Sequence, residues 1–348
     1  MINIKLNSIV FEKILDDRKV FPKQAIQVLQ KNNLLAPSMF SNNLFHLLFE
    51  IGKADLSVGR IYEGHINALL LIETYGTVAQ KEYYFKKATD GKLFGVWNTE
   101  NPADILKING FSVDGHYLLK GSKTFCSGAL QINHPIVTAH TINGVQMIIL
   151  DLDEEHELKE DWSQWDPVGM KPSVSCRIDF TAFQISKNNF LGKIDDYYKE
   201  PMFSWGAVRF SAVQLGGAHK IAEIMLQHLQ ETKRSGNGYQ KMRIGEIAIL
   251  METGKMWMEQ AQRIEDDPLL NYNSPERINF ANMMRTLTLD LCEKTIAIAE
   301  KAVGIQGMIK GHPLERPVRD LRVYLKQAGP DEALAQVGNY YANNKYAL

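Results

Sequence analysis

Hydrophobic positions along the first 91 residues recur at helical spacing. Apolar residues three and four positions apart favour amphipathic or buried helices over strands. The segments with this spacing are Lys23–Lys31, Leu44–Ile51, Ala54–Tyr75 and Val78–Ala88. The third is apolar on most of its faces and ends at Gly76, which is typical of a buried helix. These positions predict an N-terminal helical domain over residues 1–91.

The hydrophobic period changes between residues 92 and 195. Short apolar runs alternate with turn residues, which favours strands. The strand candidates are Leu93–Trp97, Tyr117–Leu119, Ile136–Ala139, Val145–Leu150, Cys176–Phe180 and Ala182–Ile185. Asn143-Gly144 lies between two apolar runs and predicts a hairpin, while Ile108–Gly110 indicates a turn. We therefore predict a central antiparallel β-barrel or sandwich over residues 92–195.

The helical period returns in the last 153 residues, 196–348. The long segments with an apolar stripe are Ser204–Glu231, Ile244–Asp266, Pro275–Val303 and Asp331–Asn343. Asp331 follows Pro330 and is a candidate N-cap. Four long helices with short connections predict a C-terminal four-helix bundle. The predicted fold class is therefore α+β and multidomain, in the order helices, β-domain and helix bundle.

Composition restricts the class of protein without naming a function. The chain is 45% hydrophobic and 23% charged, as in ordinary soluble proteins. Its formal net charge of -1 gives no general attraction to nucleic acid or to an anionic membrane. No apolar run is long enough to cross a bilayer, and Met1–Asp16 lacks a signal-peptide core, so we expect a cytoplasmic protein. The three cysteines are widely spaced, and we expect no metal site.

Two short segments combine aromatic residues with small polar ones, namely Phe94–Pro102 and Lys123–Gly128. Hydroxyl and amide side chains after a strand suit the polar edge of a planar ligand, and an aromatic ring suits stacking on its face. The candidate residues are Trp97, Asn98, Thr99, Phe125 and Ser127. Residue types alone leave open whether this is a ligand site or an ordinary strand-to-loop corner.

The order of the three regions, with particular residues at their joins, resembles the acyl-CoA dehydrogenase family of flavoproteins over nearly the whole chain. The matching segments are Ile51–Asp55 with His65 and Tyr75–Thr77, then Thr99–Pro102, Gly121–Ser127, Gly169–Ser173, Pro313–Arg316 and Arg319-Asp320. None of these segments is specific for the family on its own. The resemblance rests on their order and spacing taken together.

The resemblance implies that FAD lies between the β-domain and the helix bundle. Trp97, Asn98 and Thr99 would face the isoalloxazine ring. Phe125 would cover the ring, and Ser127 would contact it or the ribityl chain. Strand packing stays open as the role of the two aromatic residues, and turn stabilisation as the role of Thr99 and Ser127.

The resemblance is weaker at the pyrophosphate end of the cofactor. The family uses an arginine of the neighbouring subunit in an Arg-x-x-Phe-Gly motif, and here the Phe-Gly is absent, with Arg234 the nearest match. Gln306 and Gly307 match the glycine-rich turn that approaches the partner's adenosine, and Gly329 is a further cofactor candidate. An exposed surface arginine and a helix C-cap are the alternatives. The same resemblance implies a homodimer or homotetramer.

The family's carboxylate base is missing from both of its usual positions. That base takes the α-proton of an acyl thioester while the β-hydride passes to the flavin, so it must lie within hydrogen-bond reach of the proton. Aligned from Arg319-Asp320, the usual glutamate position holds Ala328. The minority position, on the first bundle helix before Arg209, holds Val208. Neither side chain can accept a proton.

Three functions stay open from the sequence. The first is FAD-dependent α,β-dehydrogenation of an acyl thioester with a relocated base, for which Asp331 and Glu332 are candidates. Helix capping and favourable interaction with the helix dipole are their alternative roles. The second is a flavin-dependent monooxygenase or oxidase of the same fold, and the third is a non-catalytic flavin-binding paralogue. We expect an oxidoreductase that acts on a small molecule, with an electron acceptor or flavin reductase that the sequence does not identify.

Overall fold

The computed structural model describes residues 11, 13–36, 43–111, 116–129, 131–152, 158–267, 275–326 and 329–344. The helices in these ranges are α1 (Lys23–Lys31), α2 (Leu44–Ala54), α3 (Leu56–Tyr75), α4 (Val78–Thr89), α5 (Met202–Glu231), α6 (Gly238–Asp266), α7 (Pro275–Val303), α8 (Glu315–Tyr324) and α9 (Pro330–Asn343). The strands are β1 (Phe94–Trp97), β2 (Lys107–Phe111), β3 (Tyr117–Lys120), β4 (Ser122–Lys123), β5 (His134–Thr141), β6 (Gly144–Ile149), β7 (Lys159–Asp161), β8 (Arg177–Asp179), β9 (Gln184–Ile185) and β10 (Phe190–Leu191). None of these helices is long and apolar enough to span a bilayer.

The helices of the N-terminal region confirm the predicted pattern, with one added boundary. Asp55 is extended and separates α2 from α3, where the pattern predicts one start at Ala54. The Asp55 carboxylate accepts hydrogen bonds from the backbone N–H groups of Ser57 at 2.9 Å and Val58 at 3.0 Å. These bonds satisfy two amides that have no partner within the helix, so Asp55 fixes the start of α3.

The described strands of the central region form two sheets. The larger one has seven strands, in the order β10-β6-β5-β2-β3-β9 with β1 also paired to β5. The smaller one has the order β4-β8-β7. The β5–β6 hairpin confirms the turn predicted at Asn143-Gly144. The prediction of a wholly antiparallel domain is wrong in one respect, because β1 and β2 both run parallel to β5.

The turn predicted at Ile108–Gly110 lies inside strand β2. The register between β2 and β3 shifts after Asn109, which is the mark of a β-bulge. Gly110 occupies the shift with a φ of +52°, a conformation that glycine adopts without steric cost. The glycine therefore bends a strand here, where the residue types alone indicate a chain reversal.

The C-terminal region is the predicted bundle, with a shorter helix added between its third and fourth members. The added helix is α8, which begins at Glu315 within the segment that the resemblance matched. The predicted cap at Asp331 is wrong. Gly329 is the N-cap with a φ of +65°, Pro330 is the first helical residue, and Asp331 lies within the first turn. Proline at the first helical position is favoured because its missing N–H would be unpaired there.

Helices α2, α3 and α5 approach each other through glycines. A Cβ on Gly52 would lie 2.3 Å from the carbonyl oxygen of Val213, and one on Gly216 would lie 2.1 Å from the carbonyl oxygen of Phe49. A Cβ on Gly59 of α3 would lie 2.5 Å from Cγ1 of Val213. These distances are shorter than any carbon–oxygen or carbon–carbon contact allows, so only glycine fits. The main hydrophobic core also contains residues from all three regions, and the domain boundaries at 91 and 195 stay predictions.

Candidate functional site

His65 of α3 fixes the position where strand β1 begins. Its Nε2 lies 2.9 Å from the carbonyl oxygen of Leu35, and its Nδ1 accepts a hydrogen bond from the backbone N–H of Phe94 at 3.1 Å. Burial lowers the pKa of His65 to about 4. The neutral ring therefore carries its proton on Nε2 and acts as a structural link between α3 and β1.

The segment that follows β1 passes from the core to the surface within three residues. Trp97 is 2% exposed, Asn98 is half-buried and Thr99 is exposed. The Trp97 indole donates a hydrogen bond from Nε1 to the carbonyl oxygen of Ser127 at 3.0 Å. Trp97 thus packs in the core and joins the two predicted segments, and its contact with a flavin stays a prediction.

Phe125 stands out from the second segment. Its side chain is 55% exposed, and its φ of +53° is uncommon for a residue other than glycine. Backbone hydrogen bonds on both sides hold it there, from Thr124 N to Thr99 O at 2.8 Å and from Cys126 N to Cys176 O at 3.0 Å. The fold therefore holds a large aromatic ring at the surface, beside the exposed Thr99.

Three serines form a short chain of hydroxyl groups beside this ring. Ser175 Oγ donates to Ser127 Oγ at 3.0 Å and lies 2.9 Å from Ser173 Oγ. Gly128 N donates to Ser173 O at 2.8 Å, which joins the second segment to the predicted Gly169–Ser173 loop. Because Ser127 accepts from Ser175, its own hydroxyl proton points elsewhere and can bind a ligand.

The Gly169–Ser173 loop is anchored to helix α8. Asp320 Oδ1 accepts a hydrogen bond from Met170 N at 2.6 Å, and a Cβ on Gly169 would lie 2.4 Å from the carbonyl oxygen of Arg319. Burial raises the pKa of Asp320 to about 6, against the opposing effect of Arg316. Two of the segments on which the resemblance rests are therefore in direct contact.

Lys123, the first residue of the second flavin-candidate segment, is buried, and its partners were not predicted from the sequence. The Lys123 ammonium donates to Glu100 Oε2 at 2.7 Å, Thr138 Oγ1 at 2.9 Å and Asn98 O at 3.0 Å. The other Glu100 oxygen lies 2.7 Å from Nε2 of His140. All three ammonium protons thus have acceptors. Lys123 is the last residue of strand β4, and its local sequence gives no sign of these partners.

A second buried network joins helices α3 and α5. Arg60 and Asn67 each donate to one oxygen of Glu63, and Nε of Arg209 donates to Oδ1 of Asn67. The positions i, i+3 and i+7 place the three α3 residues on one face of the helix. In the sequence analysis, Arg209 served only to locate Val208, and this network was not predicted. The pattern that could have indicated it is a set of polar residues at helical spacing, Arg60, Glu63 and Asn67, within an otherwise apolar segment.

The residues predicted near the pyrophosphate lie together at the other end of α5. Arg234 NH2 lies 2.9 Å from His228 Nε2, and Arg234 Nε donates to Thr232 Oγ1 at 3.2 Å. Gly307 is buried and Gln306 is exposed, in the turn that follows α7. Since α5 has 30 residues, a rise of about 1.5 Å per residue makes it roughly 45 Å long. Arg234 therefore lies far along the bundle from Tyr198, which precedes α5 and lies 3.4 Å from Asn98.

The candidate base positions contain no buried carboxylate among the described residues. Val208 is fully buried, and Ala328 lies outside the described ranges. Asp331 and Glu332 are exposed in the first turn of α9, and Glu332 accepts a hydrogen bond from Gln336 at 3.1 Å. Proton transfer by either residue stays a prediction.

The three segments together suit a planar ligand with a polar edge. Among the described residues, no side-chain hydrogen bond occupies Thr99, and Ser127 retains a free donor. Trp165 lies edge-on to Phe125 at 6.4 Å, and its buried Nε1 has no partner in the described part of the chain. An aromatic ring with uncommitted donors around it can stack on a tricyclic ligand and bind its nitrogen and oxygen edge.

A separate cavity of about 440 Å³ lies among helices α2, α5, α6 and α7. Its walls are mostly apolar and include Phe45, Phe49, Leu215 and Met258. It shares no lining residue with the segments above, so its size does not mark it as the functional site.

Comparisons with known proteins match the C-terminal region to a family model and most of the chain to relatives and solved structures. The profile of the acyl-CoA dehydrogenase C-terminal domain matches residues 197–338. The short/branched chain specific acyl-CoA dehydrogenase of Bos taurus is 24% identical over 345 residues, which cover 90% of this chain and 77% of the relative. Dibenzothiophene monooxygenase (TdsC) from Paenibacillus sp. A11-2 superposes with a TM-score of 0.79 at 17% identity, covering 94% and 93% of the two chains. Butyryl-CoA dehydrogenase from Megasphaera elsdenii gives 0.77 at 18%, covering 92% and 90%. At these identities the solved structures share the fold with this chain.

Proposed function

This chain belongs to the acyl-CoA dehydrogenase family, and we propose that it is an oxidoreductase that binds FAD where its segments 94–102, 123–128 and 169–173 meet. The observation that carries the proposal is the exposed ring of Phe125, held by backbone hydrogen bonds beside Thr99. A large apolar ring at the surface costs solvation free energy unless something covers it. An isoalloxazine ring stacked on Phe125 would cover it.

The polar residues of the site fit the edge of a flavin. Thr99 and Ser127 would donate to its nitrogen and oxygen atoms, and Asn98 would lie beneath the ring. When bound, the flavin would accept a hydride from a substrate in a dehydrogenase or, once reduced, would activate dioxygen in a monooxygenase. We propose further that Arg234, Gln306 and Gly307 of one subunit reach the cofactor of its neighbour in a homodimer or homotetramer. Gly329, the N-cap of α9, stays a cofactor candidate from sequence alone.

Oxidation of an acyl thioester is the first reaction that we propose. Several relatives of comparable similarity act on such compounds, including the Bos taurus dehydrogenase. The substrate would lie between α3 and α5, beside Val208 and Arg209, and would meet the flavin at Thr99. The α-proton would need an acceptor other than Val208, and Asp331 and Glu332 are candidates only if α9 presents them to the site.

Oxygenation is a second candidate, favoured by a specific observation. Val208 is buried and apolar, and the carboxylates at the start of α9 are exposed. Oxygen transfer to a substrate atom needs no carboxylate to remove an α-proton. The TdsC monooxygenase, which has the same fold, has been solved with FMN. An electron donor such as a flavin reductase would then be required.

Anaerobic titration of purified, FAD-loaded protein distinguishes the two reactions. Loss of the flavin absorbance near its visible maximum on addition of a butyryl-CoA to octanoyl-CoA series would support dehydrogenation. Reduction only by an added flavin reductase and NADH, followed by oxygen consumption with substrate present, would support oxygenation. A protein that stays colourless after FAD titration would contradict both.

A sequence change gives an independent test of the first reaction. Ala328→Glu restores a carboxylate at the position that the resemblance marks as the family's usual base. If the pocket accepts a thioester, this variant should gain or increase acyl-CoA oxidation, measured with an artificial electron acceptor. Ala328→Gln, similar in size and neutral, is the matched control and should show no gain.

A further inference from the structure

The cavity among helices α2, α5, α6 and α7, which we name the α2–α6 cavity, has the size of a ligand site. Its volume is about 440 Å³, and small-molecule pockets in proteins are about 300–1,000 Å³. An apolar cavity of about 150 Å³ can hold benzene, so this one has room for a molecule roughly three times as large. None of the residues proposed to bind the flavin or the acyl thioester lines it. The cavity is therefore a second place where a small molecule can bind.

The walls of the α2–α6 cavity select an apolar ligand body. They include Phe45 and Phe49 from α2, Leu215 from α5, Met258 from α6 and Leu291 from α7. Covering such walls with an apolar molecule is favourable, roughly in proportion to the area that is removed from water. The methionine has an unbranched, flexible side chain that adapts to the shape of what it contacts. We therefore expect a ligand with an aliphatic chain or an aromatic ring system.

A histidine gives this apolar wall one polar group. Nδ1 of His219 is buried and has no hydrogen-bond partner in the part of the chain that the structure describes. It lies 3.4 Å from Oε1 of Glu223, an oxygen that Lys53 Nζ approaches to 2.6 Å. Burial and the neighbouring Lys53 lower the pKa of His219, so the ring is neutral at pH 7. Because a neutral imidazole has one nitrogen without a proton, His219 can accept a hydrogen bond from a ligand.

The charged groups around the cavity are mostly negative. Among the described lining residues, the ionised side chains are the exposed Glu252, Lys255 and Glu259, and the lysine lies 4.0 Å from Glu259. Beside His219, two further glutamates are opposed by one lysine. Four carboxylates are thus present with two ammonium groups. A cleft whose charges are mainly of one sign attracts ligands of the opposite sign, so this cavity favours a cation over an anion.

We propose that the α2–α6 cavity binds a hydrophobic amine, whose apolar body fills the space between the helices while its ammonium group lies among the carboxylates. The ammonium N–H groups would donate to a carboxylate such as Glu252 or Glu259, or to the free nitrogen of His219. A fatty acid carboxylate or the phosphates of a coenzyme A ester would meet like charges there. The site is therefore distinct from that of an acyl thioester, and its ligand binds whether or not the proposed flavin reaction is correct.

Three probes with the same eight-carbon chain and different charges test the proposal by calorimetry at pH 7 and low salt. Octylamine is positive, 1-octanol is neutral and octanoate is negative. The protein should bind octylamine most tightly and octanoate least, with about a threefold to tenfold difference between these two that shrinks as salt is added. Hexylamine should bind roughly tenfold more weakly than octylamine, because two fewer methylene groups are buried.

Two variants with matched controls locate the binding in the cavity. Leu250→Trp adds bulk to the wall and should weaken all three probes at least about tenfold, while Ile249→Trp, at a neighbouring residue that is 69% exposed and outside the lining, should bind like wild type. The double substitution Glu252→Gln and Glu259→Gln should keep the affinity for octanol and reduce the preference for octylamine over octanoate. Glu246→Gln, an exposed residue of the same helix outside the lining, is its control.

Each possible result either supports the proposal or overturns it. Equal affinity for the three probes, a preference for octanoate, or binding that survives in Leu250→Trp would overturn it. Sedimentation velocity shows whether Leu250→Trp changes the oligomeric state. Such a change, with no probe bound by wild type, would mean that a second copy of the chain occupies the cavity, and this also overturns the proposal. Circular dichroism verifies that each variant is folded, and the double glutamine variant, changed at two exposed residues, tests the charge preference independently of the tryptophan variant.

Discussion

Two buried networks of charged side chains lie on either side of the candidate site, and they differ in how fully their charges are matched. In the first network, Lys123 donates to three acceptors, and Glu100 has a partner for each oxygen. In the second network, between α3 and α5, Glu63 has a partner for each oxygen, while Arg209 has one hydrogen bond among the described residues. The two buried cations thus differ in how many of their N–H groups are hydrogen-bonded by the described residues.

The difference predicts unequal effects on stability. Lys123 binds the carbonyl oxygen of Asn98 and so fixes the chain just before Thr99. Arg209 makes one hydrogen bond among the described residues, which offsets only part of the free energy that burying its charge costs. The free energy of unfolding should therefore fall strongly when the first network is changed and only weakly when Arg209 is removed.

Lys123→Met should have the largest effect. It removes the Lys123 ammonium from the first network and leaves Glu100 with His140 and the backbone N–H of Leu106. Removing one partner of a buried pair costs about 3–5 kcal/mol, and the partial exposure of Glu100 places the expected loss near the lower value. The free energy of unfolding in urea measures it. Lys120→Met, an exposed lysine three residues earlier, is the control and should change stability by less than about 0.5 kcal/mol. A loss under about 1 kcal/mol in Lys123→Met would show that the network does not support the fold.

Arg209→Met should change the free energy of unfolding by no more than about 1 kcal/mol. It loses one hydrogen bond to Asn67, but it also removes a buried charge that has no other hydrogen bond among the described residues, and the two effects oppose each other. Arg60→Met is the matched comparison, because it removes the cation that is hydrogen-bonded to the buried Glu63 and should cost several times more. Equal losses in the two variants would contradict this difference between the two arginines.

Glu100→Gln should produce the smallest effect, as a change in the pH dependence of stability. Burial alone would raise the pKa of Glu100, but the hydrogen bonds from Lys123 and His140 outweigh it and hold that pKa below its usual range. A carboxyl with a lowered folded-state pKa stabilises the protein above its unfolded pKa, and this contribution is lost as the pH falls through the folded value. Wild type should therefore lose stability relative to Glu100→Gln between pH 5 and pH 3, roughly the range in which such groups titrate. Urea unfolding at a series of pH values measures the difference, and parallel curves would contradict the network's effect on Glu100.

The sequence predicts the order of helices, strands and bundle well, because those features depend on local hydrophobic period. Pro275–Val303, for example, is predicted with the bounds that the structure shows. Predictions from residue type fail where the local structure depends on other parts of the chain or on a neighbouring residue. Ile108–Gly110 has the residues of a turn, but pairing with β3 makes it a bulged strand. Asp331 has the residue type of a cap, but Pro330 takes the first helical position and shifts the cap to Gly329.

The candidate site also has a part that depends on local sequence and a part that depends on distant contacts. Phe125 and Ser127 could be proposed from residue type and from the resemblance, because an aromatic and a hydroxyl residue lie close together in one short segment. The partners of Lys123 come from positions 98, 100 and 138, and those of Arg209 come from another helix. The spacing of residues within one segment cannot predict contacts with residues so far away in the sequence. The buried Trp97 illustrates the limit, because its residue type suits a ligand wall and a core equally well.

The glycine contacts among α2, α3 and α5 have a consequence for which substitutions the protein tolerates. Because Gly52 and Gly216 bring the backbones of α2 and α5 together, and Gly59 brings α3 against Val213, these helices cannot slide or part without opening gaps in the core. The spacing of α2 and α5 is therefore set by contacts between backbones, which cannot relax by a change of rotamer. A side chain added at Gly52 or Gly216 would have to push the two helices apart, so its effect would spread to the residues that α5 holds in place.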